Sequence, residues 1–200
     1  MPDILYIRAM GHESLAFLEL ATHHNVEAHF LRELTEADFS RYKAILVPAH
    51  VDQRGLARFH DAIGDFLDAG GLLVFNGHLT YPVIPGLAPF VPAPGGGRDD
   101  LIVERVGEHP VFADVDVTDL SFRRGVAGFY GRGENPLPEG AIALHRLQKS
   151  GAILDWYWER PQGGRILMHS GNPLWMYVGD DCSAARIAPQ LLQWVNATLQ

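Results

Sequence analysis

Apolar positions in the first half of the chain fall into short continuous runs separated by stretches of helical period. Ile4–Arg8, Val26–Leu31, Ala44–Ala49 and Leu72–Phe75 are the runs, and they read as strands. The run at Ala44–Ala49 is apolar at every position, as in a strand covered on both faces. Between the runs, Ser14 stands as the N-cap of a helix that carries Leu15, Leu18 and Leu20 and ends near His23-His24-Asn25. Thr35-Glu36-Ala37-Asp38 reads as a capping-box start to one short helical turn. Leu56, Phe59, Ile63, Phe66 and Leu67 share one helical face, and Gly70-Gly71 stops that helix. The alternation predicts a parallel sheet with helices on both faces and right-handed crossovers. Ala44–Ala49 and Leu72–Phe75 are expected as neighbouring central strands.

After Asp99 the pattern changes. Leu101–Val106, Ala141–Leu147 and Ala152–Trp158 read as strands with little helix between them, and Gln162-Gly163-Gly164 as a hairpin turn into Arg165–His169. A closing helix carries Ile187, Leu191, Leu192, Val195 and Leu199, with Pro189 either kinking it or marking its first turn. The expected class is therefore α/β: a doubly wound, mainly parallel sheet with an antiparallel extension in the second half. No internal repeat or linker interrupts residues 1–200, so one domain is expected. Five prolines from Pro82 to Pro94 and Gly95-Gly96-Gly97 mark a long irregular loop, either a lid or binding loop or an ordered excursion without a role. No helix start or lysine follows the triple glycine in the manner of a phosphate-binding loop.

Composition narrows the partners. The formal charge is −8, Arg123-Arg124 is the only adjacent basic pair, and no basic stripe appears, so nucleic acid is not expected as a partner. No apolar run approaches the roughly 20 residues that span a bilayer, and no signal peptide opens the chain, so a cytoplasmic protein without membrane contact is expected. Cys182 is the single cysteine, which excludes an internal disulfide. It follows Asp180-Asp181, acids that disfavour a thiolate and hence a nucleophile.

The candidate chemistry lies at strand ends. Four predicted strands run out toward histidines, His12, His50, His78 and His169, and in an open parallel sheet all such ends share one rim. Any one of them could be a solvated surface residue. Four on one rim point to a site, with His78 and His169 as candidate catalytic residues and His12, Glu13, His50, Asn76 and Trp175 as candidate binding residues. His78 follows Phe75-Asn76-Gly77, a tight turn of the kind that presents a side chain above a sheet. Asp52 is read as a helix N-cap rather than an acid/base partner, and Trp156, Tyr157 and Trp158 as core or interface. No His-x-x-x-His or Cys-x-x-Cys pair is present, so neither a metal nor another cofactor is assigned.

The stretch from Arg41-Tyr42-Lys43 to Leu72-Leu73-Val74, together with Glu108-His109-Pro110-Val111-Phe112, Gly163-Gly164-Arg165-Ile166-Leu167 and Leu192-Gln193-Trp194-Val195, resembles the class I glutamine amidotransferase-like superfamily. Within it the chain looks most like trehalose-utilisation-type proteins and the trimerisation domain of some β-galactosidases. The resemblance covers most of the chain and implies a flavodoxin-like sheet. True amidotransferases of this superfamily use a cysteine at the elbow and a histidine and glutamate after a late strand. Trehalose-utilisation-type proteins similarly show a histidine near the elbow, so the resemblance implies a site that has lost or changed its chemistry, with His78 as the carry-over. This chain has Asn76-Gly77-His78 at the elbow, and keeps His169 but has Gly171 where the glutamate is expected. Without a thiol no glutamyl thioester forms, so glutaminase activity is not expected. Two classes of function remain open at the sequence: a small-molecule enzyme, on a sugar derivative or another polar metabolite with hydrolase- or isomerase-type chemistry, or a non-catalytic domain that binds a ligand or partner or forms a homo-oligomer.

Overall fold

The computed structural model describes residues 2–9 and 14–199. Its centre is an eight-stranded sheet, made of β1 (Ile4–Arg8), β2 (Val26–Phe30), β3 (Ala44–Val47), β4 (Leu72–Asn76), β5 (Val103–Arg105), β6 (Ile142–Leu147), β7 (Ile153–Glu159) and β8 (Arg165–His169). The spatial order is β2-β1-β3-β4-β8-β7-β6-β5. Strands β2, β1, β3, β4 and β8 run parallel, and β7, β6 and β5 continue the sheet antiparallel. As the apolar runs require, β3 and β4 are parallel neighbours, with Val47 opposite Phe75.

Among the described residues the α-helices are α1 (Leu15–Thr22), α2 (Glu36–Phe39), α3 (Gln53–Leu56), α4 (His60–Asp68), α5 (Val117–Ser121) and α6 (Ile187–Thr198). Their caps follow the local sequence. The Ser14 hydroxyl accepts from Phe17 N, Asn25 takes φ 60° after α1, and Asp38 closes the capping box on Thr35 N at 2.8 Å. Asp52 caps α3 by accepting from Gly55 N at 3.0 Å, its expected role. Pro189 falls in the first turn of α6, where its missing N–H costs nothing.

Strand alternation divides the core between the two faces of the sheet. Ile4, Tyr6, Leu46, Val74 and Leu167 pack under α1 and α6 with Phe17, Leu191 and Val195. Leu5, Ile7, Ile45, Val47, Leu73 and Phe75 pack under α2 to α4 with Phe39, Ile63 and Phe66. Each such fully buried side chain contributes roughly 1.5–3 kcal/mol relative to exposure. Trp156 and Trp158 share the second face, and Trp156 is fully buried there, so these aromatics belong to the core.

The proline-rich segment is anchored. Leu79, Val83 and Ile84 are buried, the Pro82 carbonyl meets His60 Nδ1 at 2.8 Å, and Val91–Pro92 pairs with Gly133–Glu134. No helix among the described residues is long and apolar enough to cross a membrane.

Candidate active site

Four polar side chains form one row across the middle of the sheet. His145 on β6 is in register with Asp155 on β7, Asp155 with His169 on β8, and His169 with Asn76 on β4. Register shifts around His145 interrupt the β6–β7 ladder, a bulge of the kind that re-aims a side chain. His145, Asp155 and Asn76 are fully buried and His169 nearly so.

Asp155 is the hub. Its Oδ1 is paired with His169 Nδ1, and its Oδ2 lies 2.8 Å from His145 Nδ1 and accepts from the Tyr130 hydroxyl at 2.5 Å. Burial alone would push this carboxyl up, but His169 and His145, by charge and hydrogen bonding, outweigh it and hold it well below the usual carboxylate range. An ionised carboxylate only accepts, so the hydrogen of each facing imidazole sits on Nδ1. Burial first, and then the charge of Asp155, push the Tyr130 phenol well above its ordinary value, so it stays a donor. Among the described residues, His145 Nε2 and Tyr177 Oη are buried without a protein partner.

With Nδ1 committed to Asp155, the other nitrogen of His169 lies against Gly171. A Cβ placed on Gly171 would stand 2.8 Å from His169 Nε2 and would overlap the Tyr130 carbonyl. Gly171 lines a cleft of about 400 Å³ together with His50, Gln53, Gly77, His78, Arg132 and Asn172. This cleft lies beyond the carboxyl ends of β3, β4 and β8, where open α/β sheets place their ligands.

His78 enters the cleft from a rigid turn. Gly77 takes φ +104°, and a Cβ there would lie 2.8 Å from Ala49 Cα, so the turn is open to glycine alone. Asn76 braces it by donating to the Val47 carbonyl at 2.9 Å and accepting from Leu174 N at 2.9 Å. Asn135 donates to the Gly77 carbonyl and accepts from Leu79 N, while Gln53 donates to the His78 carbonyl at 2.6 Å and accepts from Thr80 N. The His78 ring stacks on Phe90 with centroids 3.6 Å apart and planes 10° from parallel. Partial burial, and then the charge of His169, lower the His78 pKa below its ordinary value.

The structure thus brings His50 and His78 to one cleft, with the buried His169 directly behind Gly171 of its lining. Asn76 sits beneath it with its amide engaged by backbone. Trp175 is set apart, stacked on Phe17 with centroids 4.8 Å apart and edge-on to Tyr6, where it walls a second hollow of about 610 Å³. His12 and Glu13 lie outside the described residues. Reading the sequence missed Asp155, Tyr130, Gln53 and Arg132. For Asp155 a signal existed, a lone carboxylate inside the apolar run Ile153–Trp158. The orienting acid expected near position 171 is therefore supplied by the neighbouring strand. Cys182 is partly buried and takes no part in the cleft, and among the described residues no cluster of three His, Cys, Asp or Glu could hold a metal ion.

No protein-family model matches the chain, and no curated protein matches it. Solved structures do. A cytoplasmic protein from Salmonella typhimurium superposes with a TM-score of 0.61 at 13% identity, over 96% of this chain and 98% of that one. A protein from Thermoplasma acidophilum, described as a candidate GMP synthase component, gives 0.62 at 10% identity, over 98% and 94%. The N-terminal domain of mmIFT52 gives 0.54 at 12% identity, over 96% and 97%. The fold is flavodoxin-like. At these identities the likeness extends to the fold and no further.

Proposed function

We propose that the chain is a member of the glutamine amidotransferase-like superfamily, of the trehalose-utilisation type and without the catalytic cysteine, that performs acid–base chemistry on a small polar molecule. The observation that carries this reading is the Asp155–His169 pair, which fixes Nδ1–H toward the carboxylate and leaves Nε2 against Gly171, a residue of the cleft lining. That is the arrangement a general base requires: a lone pair aimed at the substrate and a buried anion to stabilise the imidazolium that forms. His169 takes a proton from the bound molecule or from a water held over it. His78, with its lowered pKa, is the second proton-transfer group across the cleft. His50 binds the substrate at the rim.

No thiol lines the cleft among the described residues, and its hydroxyl, Thr80 Oγ1, is hydrogen-bonded to Gln53 Oε1 at 3.2 Å with no imidazole beside it. The chemistry is therefore proton transfer, of hydrolase or isomerase type, rather than acyl transfer through a covalent intermediate. The test is a turnover screen over small polar metabolites, followed by His169→Ala and His78→Ala on whatever compound reacts. Each replacement should lower the rate by roughly 10²–10⁴. Turnover that survives His169→Ala within a few-fold would refute the assignment. Release of ammonia from glutamine would do so as well.

A further inference from the structure

The same cleft carries a charge pattern that bears on what it binds. Although the chain has a formal charge of −8, no carboxylate among the described residues lines this cleft. Its polar wall is made of imidazoles, amides, the Thr80 hydroxyl and one guanidinium, Arg132.

Arg132 is placed rather than loose. Its Nε donates to the Gly128 carbonyl at 3.3 Å, and the guanidinium lies flat over Gly128, where a Cβ would stand 2.7 Å from Nη2. Arg132 makes no ion pair with any described residue, whereas Arg123 and Arg124 nearby both pair with Asp180 at 2.6 Å. The segment bearing Arg132 is tied to the catalytic row, since the Tyr130 ring lies 4.7 Å from that of His169. Across the cleft, Asn172 Nδ2 donates to the Phe129 carbonyl at 3.1 Å, which joins this segment to the turn after β8.

We propose that the cleft takes an anionic small molecule, bearing a carboxylate or a phosphate, whose oxyanion is held by the Arg132 fork while its reacting atom lies over His169. A guanidinium offers two parallel donors that match an oxyanion, and its anchored stem lowers the entropy lost on binding. This inference rests on the acid–base reading for the role of His169, but not for the binding of the anion.

The two are separated by measuring binding without turnover. The Cε1–H resonances of His78 and His169 are followed by NMR in the full chain as malonate, inorganic phosphate or the uncharged malonamide is added. One or both anions should shift these signals saturably, and malonamide should not. Arg132→Gln should weaken the anion by about 10-fold or more, with Arg132→Lys between the two. Arg132 is exposed, so both variants should keep the wild-type spectrum elsewhere. A response to malonate alone assigns a carboxylate, and a response to phosphate alone a phosphate ester. Binding of malonamide as tight as that of malonate, no response to either anion, or an unchanged affinity in Arg132→Gln overturns the proposal. Anion binding in a chain that turns nothing over would leave it standing while removing the catalytic reading.

Discussion

Asp155 and His169 are directly opposed across the β7–β8 ladder, and their side chains meet on the face of the sheet that α6 covers. A cross-strand pair is among the stiffest ways to hold two groups together, because two backbones and their ladder fix the separation. The carboxylate has no solvent exposure, so its partners supply everything that water would otherwise provide.

Removing that carboxylate should therefore be costly. Asp155→Ala should destabilise the fold by roughly 3–5 kcal/mol, the usual penalty for breaking a buried charged pair. Asp155→Asn keeps the shape but cannot accept hydrogen bonds from Tyr130 and both imidazoles at once. It should cost less stability than Ala while lowering any turnover by an amount comparable to His169→Ala. Urea unfolding of the two variants checks the first statement and kinetics the second. A stability loss below about 1 kcal/mol for Ala would mean that the network contributes little.

Tyr130→Phe removes one hydroxyl of the same hub, which also lies 3.2 Å from His145 Nδ1. It deletes the 2.5 Å donor to Asp155 while leaving the ring packed, so a loss of about 1.5–3 kcal/mol is expected. His169 keeps its carboxylate, and turnover should fall far less than in Asp155→Asn. Equal losses of rate in both variants would make Tyr130 a participant rather than a support.

Gly171→Glu places a glutamate where the resemblance to amidotransferases leads one to expect it. It should not create a glutaminase. The new Cβ would overlap the Tyr130 carbonyl and crowd His169 Nε2, so destabilisation of roughly 1–3 kcal/mol, of order that of overpacking, is expected. Gly171→Ala should already show most of it. Melting temperatures of the two variants decide the matter, and an Ala variant as stable as the wild type would be inconsistent with the close approach.

Acid sensitivity should begin well above the carboxylate range. Burial lowers the His109 pKa to about 4, so the folded chain refuses a proton that the unfolded chain takes near the ordinary value of 6.5. Between those two values the unfolded state binds more protons, so stability falls as pH falls, by up to roughly 3 kcal/mol over the window. Asp155, with its depressed pKa, adds a loss of the same sign only below about pH 4. Urea midpoints measured from neutral pH down to about 4.5 should slope for the wild type and flatten for His109→Gln. Parallel slopes would place the proton uptake elsewhere.

The parallel half of the fold was legible because its signals are local. Ala44–Val47 and Leu72–Phe75 are apolar on both faces, which only a doubly covered strand explains, and Gly77 announces the turn that presents His78. The placing of His50 and His78 in one cleft followed from topology alone. What made His169 chemically interesting did not, because Asp155 and His145 reach it through the register of two antiparallel strands. Sequence distances of 14 and 24 residues carry no motif, since the register depends on a hairpin and a bulge. Tyr130 and Arg132 escaped for another reason. They lie in a stretch with little regular structure, between the short strands Val126–Ala127 and Gly133–Glu134, where periodicity gives nothing to read. Trp175, a candidate ligand platform in the sequence, packs with Phe17 and Tyr6 because a large ring at the end of a sheet serves the core as readily.

The proline-rich segment has one more effect. Phe90 clasps the His78 ring, and Ala93 N donates to the Arg132 carbonyl at 3.0 Å, so one stretch of chain fastens both banks of the cleft. Its buried Leu79, Val83 and Ile84 keep it from swinging as a hinged cover would. The cleft is thus open and already shaped before anything enters, and a ligand meets no unlocking step on the way in or out. Arrival should then be set by diffusion and by the field of Arg132, and slowed by added salt in the manner of a steered encounter rather than of a gate.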